Sequence, residues 1–329
     1  MSTGARPRIL LMHPILDPGP AILAEAGEVI SYPPDRPLDD ESIRQAVEGC
    51  VGVVSQLMDP IREIVLSTPG LRIVSNVAVG YDNIDVATAT AYNVMVTNTP
   101  GVLDDSTADF AFTLLMATAR RVVEGDHYTR AGRFGGWAID MMLGTDVFGA
   151  TLGIIGIGRI GRGLAHRAKG FNMRVIYYDP NPLSRDDEIQ LGATRVDLGR
   201  LLAESDFVSV HVPLTPETRH LLSTQQFEQM KRSAIVVNTS RGPVIDEAAL
   251  VDALNARKIA GAGLDVYERE PAIHPGLLPL PNVVLAPHIA SATVRTRSEM
   301  SAMAARNMAT AVRGGRPPNL LNPEVARSQ

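Results

Sequence analysis

Cysteine is nearly absent from this chain, and that shortage excludes the most. With Cys50 as the only cysteine among 329 residues, there can be no intrachain disulfide and no cysteine-cluster metal site. We therefore expect a cytoplasmic protein without a bound metal. Cationic runs are also missing: 31 Lys and Arg stand against 36 Asp and Glu, for a formal charge of -5, and phosphate binding needs a clustered basic face. Nucleic acid is not an expected partner. Nor is there an apolar run of the roughly 20 residues that a membrane span requires; the most apolar helical stretch, 110–119, is bounded by Asp109 and Arg120 and reads as a buried helix between domains or subunits. The N-terminus, MSTGARPR, leads into a short ILLMH and two prolines and lacks the apolar core of a signal peptide. What remains is a chain with 45% hydrophobic and 20% charged residues, enough to fill cores and outside the composition range of disorder. At roughly 100–200 residues per domain, its length suggests two domains.

Short apolar runs alternate with helix-like segments throughout, the pattern of parallel sheets covered by helices. The expected class is α/β, with two doubly wound sheets. Strands are predicted at 8–11, 51–55, 73–77 and 94–97, then at 151–155, 175–178, 207–210, 235–238, 263–265 and 283–286. Between the two sets, Asp104, Asp105 and Ser106 offer N-caps for a long helix reaching about Val123, expected to cross between domains. A last helix is predicted from about Val294 to Val312, ended by Gly314-Gly315-Arg316-Pro317-Pro318.

The segment Gly156-Ile157-Gly158-Arg159-Ile160-Gly161 follows the strand TLGII and opens a helix, which is the setting a dinucleotide fingerprint requires. In that reading Gly156 makes the tight turn, Gly158 lets the backbone approach a pyrophosphate, and Gly161 allows close helix–strand packing, while the helix N-terminus offers free N–H donors. Asp179 ends the next strand, near the spacing expected for a ribose-binding carboxylate. A carboxylate there disfavours a 2′-phosphate, so NAD(H) is expected over NADP(H). Arg185, a few residues on, is the counter-indication, although a solvated loop cation is its plainer reading.

Of the seven histidines, His288 follows the apolar strand NVVLAP, at the carboxyl end of a strand where doubly wound sheets place their ligands. His166 lies in the helix after the glycine motif, His127 and His220 in polar surroundings, His13 and His211 at strand ends, and His274 in a Pro-rich loop. Arg241 also follows a buried-looking strand, and its planar guanidinium suits bidentate recognition of a carboxylate. Glu270, or its neighbour Glu268, stands just past a further strand, where a carboxylate would orient an imidazole and favour its charged form. An arginine, an acid and a histidine arriving from consecutive strands fit transfer of hydride to a 2-oxo acid: a cation to hold the acid, and a proton donor for the developing alkoxide.

At these residues the chain resembles the D-isomer-specific 2-hydroxyacid dehydrogenases, and within them the glyoxylate/hydroxypyruvate reductase-like branch. The likeness runs through VAVGYDNIDV (77–86), TNTPGVLDDSTADFAF (97–112), GIIGIGRIGRGLA (153–165), HVPLTPET (211–218), NTSRGPVIDEAAL (238–250), GAGLDVYEREP (261–271) and APHIASAT (286–293). It implies that Arg241 binds substrate, that His288 is the general acid/base, and that Glu270 rather than Glu268 is its partner. It further implies that the Val79 and Gly80 amides hold the substrate carboxylate. Leu57 and Met58, by their place after the strand ending at Ser55, are expected to line the pocket and favour small substrates, with ordinary loop apolars as the alternative reading. Cofactor contacts are implied for Thr107, Arg159, Ile160, Asp179, Pro213, Thr218, Thr239, Asp265 and His288, besides the three glycines.

The same resemblance implies a Rossmann coenzyme domain, 101–292, inserted into a discontinuous flavodoxin-like substrate domain, 1–100 plus 293–329, with the active site in the cleft. It implies a homodimer, with Trp137 near the partner's pocket. Two positions depart from the pattern: Ala290, where the motif commonly has Gly, and Asp179, where several reductases of this branch carry a cationic loop. The expected activity is reversible reduction of a small 2-oxo acid to the D-2-hydroxy acid. An NAD(H)-responsive corepressor-like protein is the rival from another class, disfavoured by the complete triad and the lack of a tail beyond Gln329. Reduction of 2-oxogluconate, phosphoglycerate dehydrogenase and formate dehydrogenase activities are rivals within the family.

Overall fold

The computed structural model describes residues 6–325. The chain divides into two compact units, one running to Leu103 and resuming at Ala292, the other spanning Asp104–Ser291. In the first unit, strands β1 (Arg8–Leu11), β2 (Glu28–Ser31), β3 (Cys50–Ser55), β4 (Ile73–Asn76) and β5 (Met95–Thr97) alternate with helices α1 (Gly19–Ala26), α2 (Asp40–Val47), α3 (Glu63–Leu66) and α4 (Val86–Ala91). All pairings are parallel, in the order β2-β1-β3-β4-β5. That is the flavodoxin-like order, whose switch point lies between β1 and β3. Strand β2 has no counterpart among the strands expected from the sequence. It is an edge strand of four residues with none buried, so it lacks the apolar run by which its neighbours are recognised.

The second unit opens with α5 (Asp104–Ala119) and α6 (Val122–Arg130), then strands β6 (Thr151–Ile155), β7 (Arg174–Tyr178), β8 (Ala193–Arg195), β9 (Phe207–Val210), β10 (Ile235–Asn238), β11 (Gly261–Leu264) and β12 (Val283–Leu285). Between the strands run α7 (Arg159–Ala168), α8 (Arg185–Leu191), α9 (Leu198–Glu204), α10 (Thr224–Gln229) and α11 (Glu247–Asn255). The parallel sheet has the order β12-β11-β10-β9-β6-β7-β8. Reading from β8, this is the dinucleotide-binding order with one further strand, and the order reverses between β6 and β9. Strand β8 was likewise not expected: three residues at an edge, two of them exposed.

Alternating strand residues feed two cores. Ile155, Ile176, Val208, Val210 and Val236 pack on one face, and Leu152, Ile154, Val175, Tyr177, Phe207 and Val237 on the other, as a sheet covered on both sides requires.

The expected long helix is two helices, both in the second unit. It stops at Ala119 because the Ala119 carbonyl accepts the Thr145 N–H from a returning loop, and Arg121 turns into the left-handed region at φ 51° before α6 begins. Asp104 and Asp105 lie inside the first turn of α5, where their charge complements the positive end of the helix dipole; they are not the residues before it. The chain then returns to the first unit as α12 (Val294–Val312), capped by the Thr293 hydroxyl accepting from Thr296 N–H. Beyond it, Asn322 accepts from Val96 N–H and donates to the Val94 carbonyl, covering the open edge of β5 and denying it to another chain.

Candidate active site

At the switch point of the larger sheet, β6 is followed by Gly156, whose φ of +91° lies in the region that glycine tolerates best. A Cβ on Gly161 would run into the Gly156 carbonyl and Ile154, whereas one on Gly158 would meet nothing within 4 Å. The turn is thus closed where helix meets strand and open at Gly158, beside the N-terminus of α7. Asp179 follows β7 and accepts the Ile157 N–H at 2.9 Å and the Asn181 N–H at 2.8 Å. Ile157, Gly158, Arg159, Arg162, Asp179, Asn181, Pro182 and Leu183 line a cavity of about 470 Å³. A glycine turn, a helix N-terminus and an acid around an open cavity fit an adenosine diphosphate moiety. Arg185 stands in the first turn of α8, outside this lining.

Pro213 and Thr218 are knitted into one loop after β9, the Thr218 hydroxyl donating to the Pro213 carbonyl. Thr239 is buried after β10, and among the described residues its hydroxyl has no hydrogen-bond partner. Thr107 is buried in α5, Ile160 is half-buried in α7, and Asp265 is fully buried after β11. Asp265 accepts from Ile289 N–H and Ala290 N–H at 2.7 and 2.8 Å, while its own carbonyl accepts from His288 N–H at 2.9 Å. These three bonds hold the turn that carries His288.

His288 has a φ of +53°, an uncommon conformation for a non-glycine residue, maintained here by the Asp265 bonds. Its Nδ1 meets Glu270 Oε2 at 2.8 Å. A carboxylate only accepts, so Nδ1 carries the proton and Nε2 is the nitrogen left for chemistry. Burial raises the Glu270 carboxyl, but the hydrogen bond and charge of His288, the Tyr267 N–H and the charge of Arg241 outweigh it and hold the group below its ordinary range. Arg241 therefore stands close enough to act on Glu270. Its carbonyl accepts from the Asn238 side chain and its guanidinium donates to the Ser240 carbonyl. Glu268, the other acid of that loop, bonds His220 instead.

In the first unit, the loop after β4 has its carbonyls tied and its amides open. Asn98 donates to the Val79 carbonyl and Asn76 to the Gly80 carbonyl, whereas among the described residues the Val79 and Gly80 N–H groups donate to nothing. Leu57 and the exposed Met58 sit in the turn after β3. Fully buried Asp59 closes that turn, accepting from Gln56 N–H at 2.6 Å and meeting His13 Nε2 at 2.8 Å. The holding residues Asn76, Asn98, Asn238, Asp59 and Tyr267 were not picked out from the sequence. Only their position beside a motif residue could have indicated them.

Among the described residues no helix is long and apolar enough to cross a membrane, and no cluster of three or more His, Cys, Asp or Glu is arranged to hold a metal.

Residues 112–290 match the family model described as D-isomer specific 2-hydroxyacid dehydrogenase, NAD binding domain. A glyoxylate reductase of Korarchaeum cryptofilum is 53% identical over 327 residues, covering 98% of each chain. The crystal structure of a glyoxylate reductase from Paecilomyes thermophila is 32% identical with a TM-score of 0.87, covering 97% of this chain and 99% of that one. An NADPH-dependent glyoxylate/hydroxypyruvate reductase from Sinorhizobium meliloti, solved with NADP and malonate, is 33% identical with a TM-score of 0.86, covering 96% and 97%. The chain belongs to the D-isomer-specific 2-hydroxyacid dehydrogenase family.

Proposed function

We propose that the protein reduces a small 2-oxo acid of the glyoxylate or hydroxypyruvate type to its D-2-hydroxy acid, reversibly, with NADH as the preferred reductant. The observation that carries this reading is the Glu270–His288 pair with Arg241 acting on it. Bound cofactor supplies the hydride. His288, protonated on Nε2, donates to the carbonyl oxygen as charge develops there, and Glu270 stabilises the imidazolium and fixes its orientation. Arg241 holds the substrate and polarises it. The Val79 and Gly80 amides are suited to a carboxylate, since their carbonyls are already engaged.

Gly156, Gly158, Arg159, Ile160, Gly161 and Asp179 would hold the adenosine half of the cofactor, and Thr107, Pro213, Thr218, Thr239, Asp265 and His288 are assigned to the remainder. Asp179 supports NADH, because it is among the residues lining the cavity and a carboxylate there would disfavour a 2′-phosphate. The Sinorhizobium relative is NADPH-dependent, so the preference follows from this chain's own acid and not from likeness. A homodimer is proposed as the working form.

Following NADH and NADPH oxidation by the purified protein against glyoxylate, hydroxypyruvate, pyruvate and 2-oxogluconate tests the reading. Turnover with NADH and the smaller acids is expected. If none of the acids oxidises either cofactor although NADH binds, the reading fails and a binding function takes its place.

A further inference from the structure

Three loops that are far apart in sequence converge behind the triad, through groups that the chemistry above does not use. His220 lies in the loop that carries Thr218. Its main-chain N–H donates to the Pro243 carbonyl at 2.8 Å, and its Nε2 meets Glu268 Oε1 at 2.8 Å. One residue thus grips both the loop after Arg241 and the loop before Glu270, and it does so in the left-handed region, at φ +52°. Glu268 and Glu247 exchange a second pair of bonds: Glu268 N–H donates to Glu247 Oε1 at 2.8 Å, and Glu247 N–H to Glu268 Oε2 at 3.4 Å. Beside them Gly242, the residue after Arg241, packs so closely that a Cβ would fall on the Tyr267 carbonyl. Tyr267 in turn donates its N–H to Glu270 Oε1 and its hydroxyl to the Ala286 carbonyl, two residues before His288.

We propose that His220, Glu268 and Glu247 are positioning residues that lock the Glu270 loop against the Arg241 loop, and so set the hydrogen bond between Glu270 and His288. An exposed ion pair alone contributes little. Here, however, the Glu268 carboxylate spans two partners, and Glu247 is only 5% exposed, with burial raising its carboxyl, so release of either acid frees several bonds together. The effect on turnover rests on the proposed function; the effect on the Glu270–His288 bond does not.

The test compares E268A, H220A and H220Q, the glutamine amide placing an N–H about where Nε2 stands. Steady-state reduction of glyoxylate, NADH affinity, and the Nδ1–H proton signal of His288 in histidine-labelled protein are measured, with E270A, which removes the acceptor, as the signal-free control. In E268A and H220A we expect kcat to fall about tenfold, with KM and NADH affinity within about twofold of wild type, because loosened geometry weakens the transition state more than the bound ground state. The His288 signal should broaden or vanish in both, and H220Q should restore signal and kcat. The double variant H220A/E268A should lose no more than the worse single one, as groups acting as a unit do. Wild-type signals in both single variants overturn the proposal. So does a loss that H220Q fails to rescue, or additive losses in the double variant. The proton signal needs no turnover, so a wild-type protein inactive on every 2-oxo acid would sink the proposed activity while the signal still decides this proposal. If E268A does not fold, the comparison of H220A with H220Q carries the same decision.

Discussion

At the scale of single residues, the proposed chemistry rests on one imidazole, that of His288, paired with one carboxylate, that of Glu270. His288→Ala should lower turnover by about 10²–10⁴, the usual contribution of a positioned proton donor, while Arg241→Ala should chiefly raise KM for the acid; steady-state kinetics separate the two. Glu270 adds a pH signature. Its folded-state carboxyl is held below the ordinary range, so it stays ionised through mildly acid pH, and the stability it contributes is present above the unfolded value and lost as pH falls through the folded one. Glu270→Gln should therefore flatten stability at acid pH and move the alkaline limb of the kcat/KM profile for reduction toward lower pH. An unchanged limb would remove Glu270 from the proton path. Arg241, Glu270 and His288 could be singled out as candidates in the sequence because each lies in the loop after an apolar strand, three residues past β10 and β12 for Arg241 and His288 and six past β11 for Glu270. The choice of Glu270 over Glu268 was not a matter of period or spacing, since both lie in one loop; it came from the family resemblance, and in the fold Glu270 faces His288 while Glu268 faces His220.

At the scale of elements, tight backbone contacts decide what the loops tolerate. Gly242→Ala must push the Arg241 and Tyr267 loops apart; overpacking of this kind costs about 1–3 kcal/mol, and thermal melting together with kcat should show both destabilisation and lost turnover. Alanine at Gly158, where a Cβ meets nothing, should leave the melting point near wild type and weaken NADH binding. Asp179→Asn tests cofactor choice. It retains the shape but removes the charge, so the NADH-over-NADPH preference in kcat/KM should shrink about tenfold, equivalent to about 1.4 kcal/mol. An undiminished preference would place the discrimination elsewhere. The elements that escaped sequence reading have a common physical reason. Strands β2 and β8 are short edges without a buried run, and the break after α5 is set by Thr145, 26 positions away from Ala119, taking a helix carbonyl. Long-range partners leave no local period to read.

At the scale of the whole molecule, two properties should show in solution. Burial beside the glycine turn lowers the His211 pKa from 6.5 to about 4. Between those values the unfolded chain binds a proton that the folded one does not, so stability should fall as pH drops from about 6.5 to about 4. Denaturant unfolding of His211→Gln should show a shallower decline across that window. The second property is association. Residues 131–149 of the second unit expose Phe134, Trp137, Ile139, Leu143 and Phe148, at 56–77% of their surface, beside a groove of about 1240 Å³ lined by α6 and by Leu278 through Leu285. Exposed apolar side chains gathered in one segment mark an interaction surface more often than a solvated one, and a second copy of the chain brings the same segment and groove, as a two-fold interface requires. Light scattering should return about twice the 35.3 kDa chain mass. Replacing Ile139 and Leu143 with glutamate should return the single mass and shift the emission of Trp137, the only tryptophan, toward the red relative to the wild-type protein. A wild-type protein that runs as one chain at micromolar concentration would refute the dimer and leave this segment to a different partner.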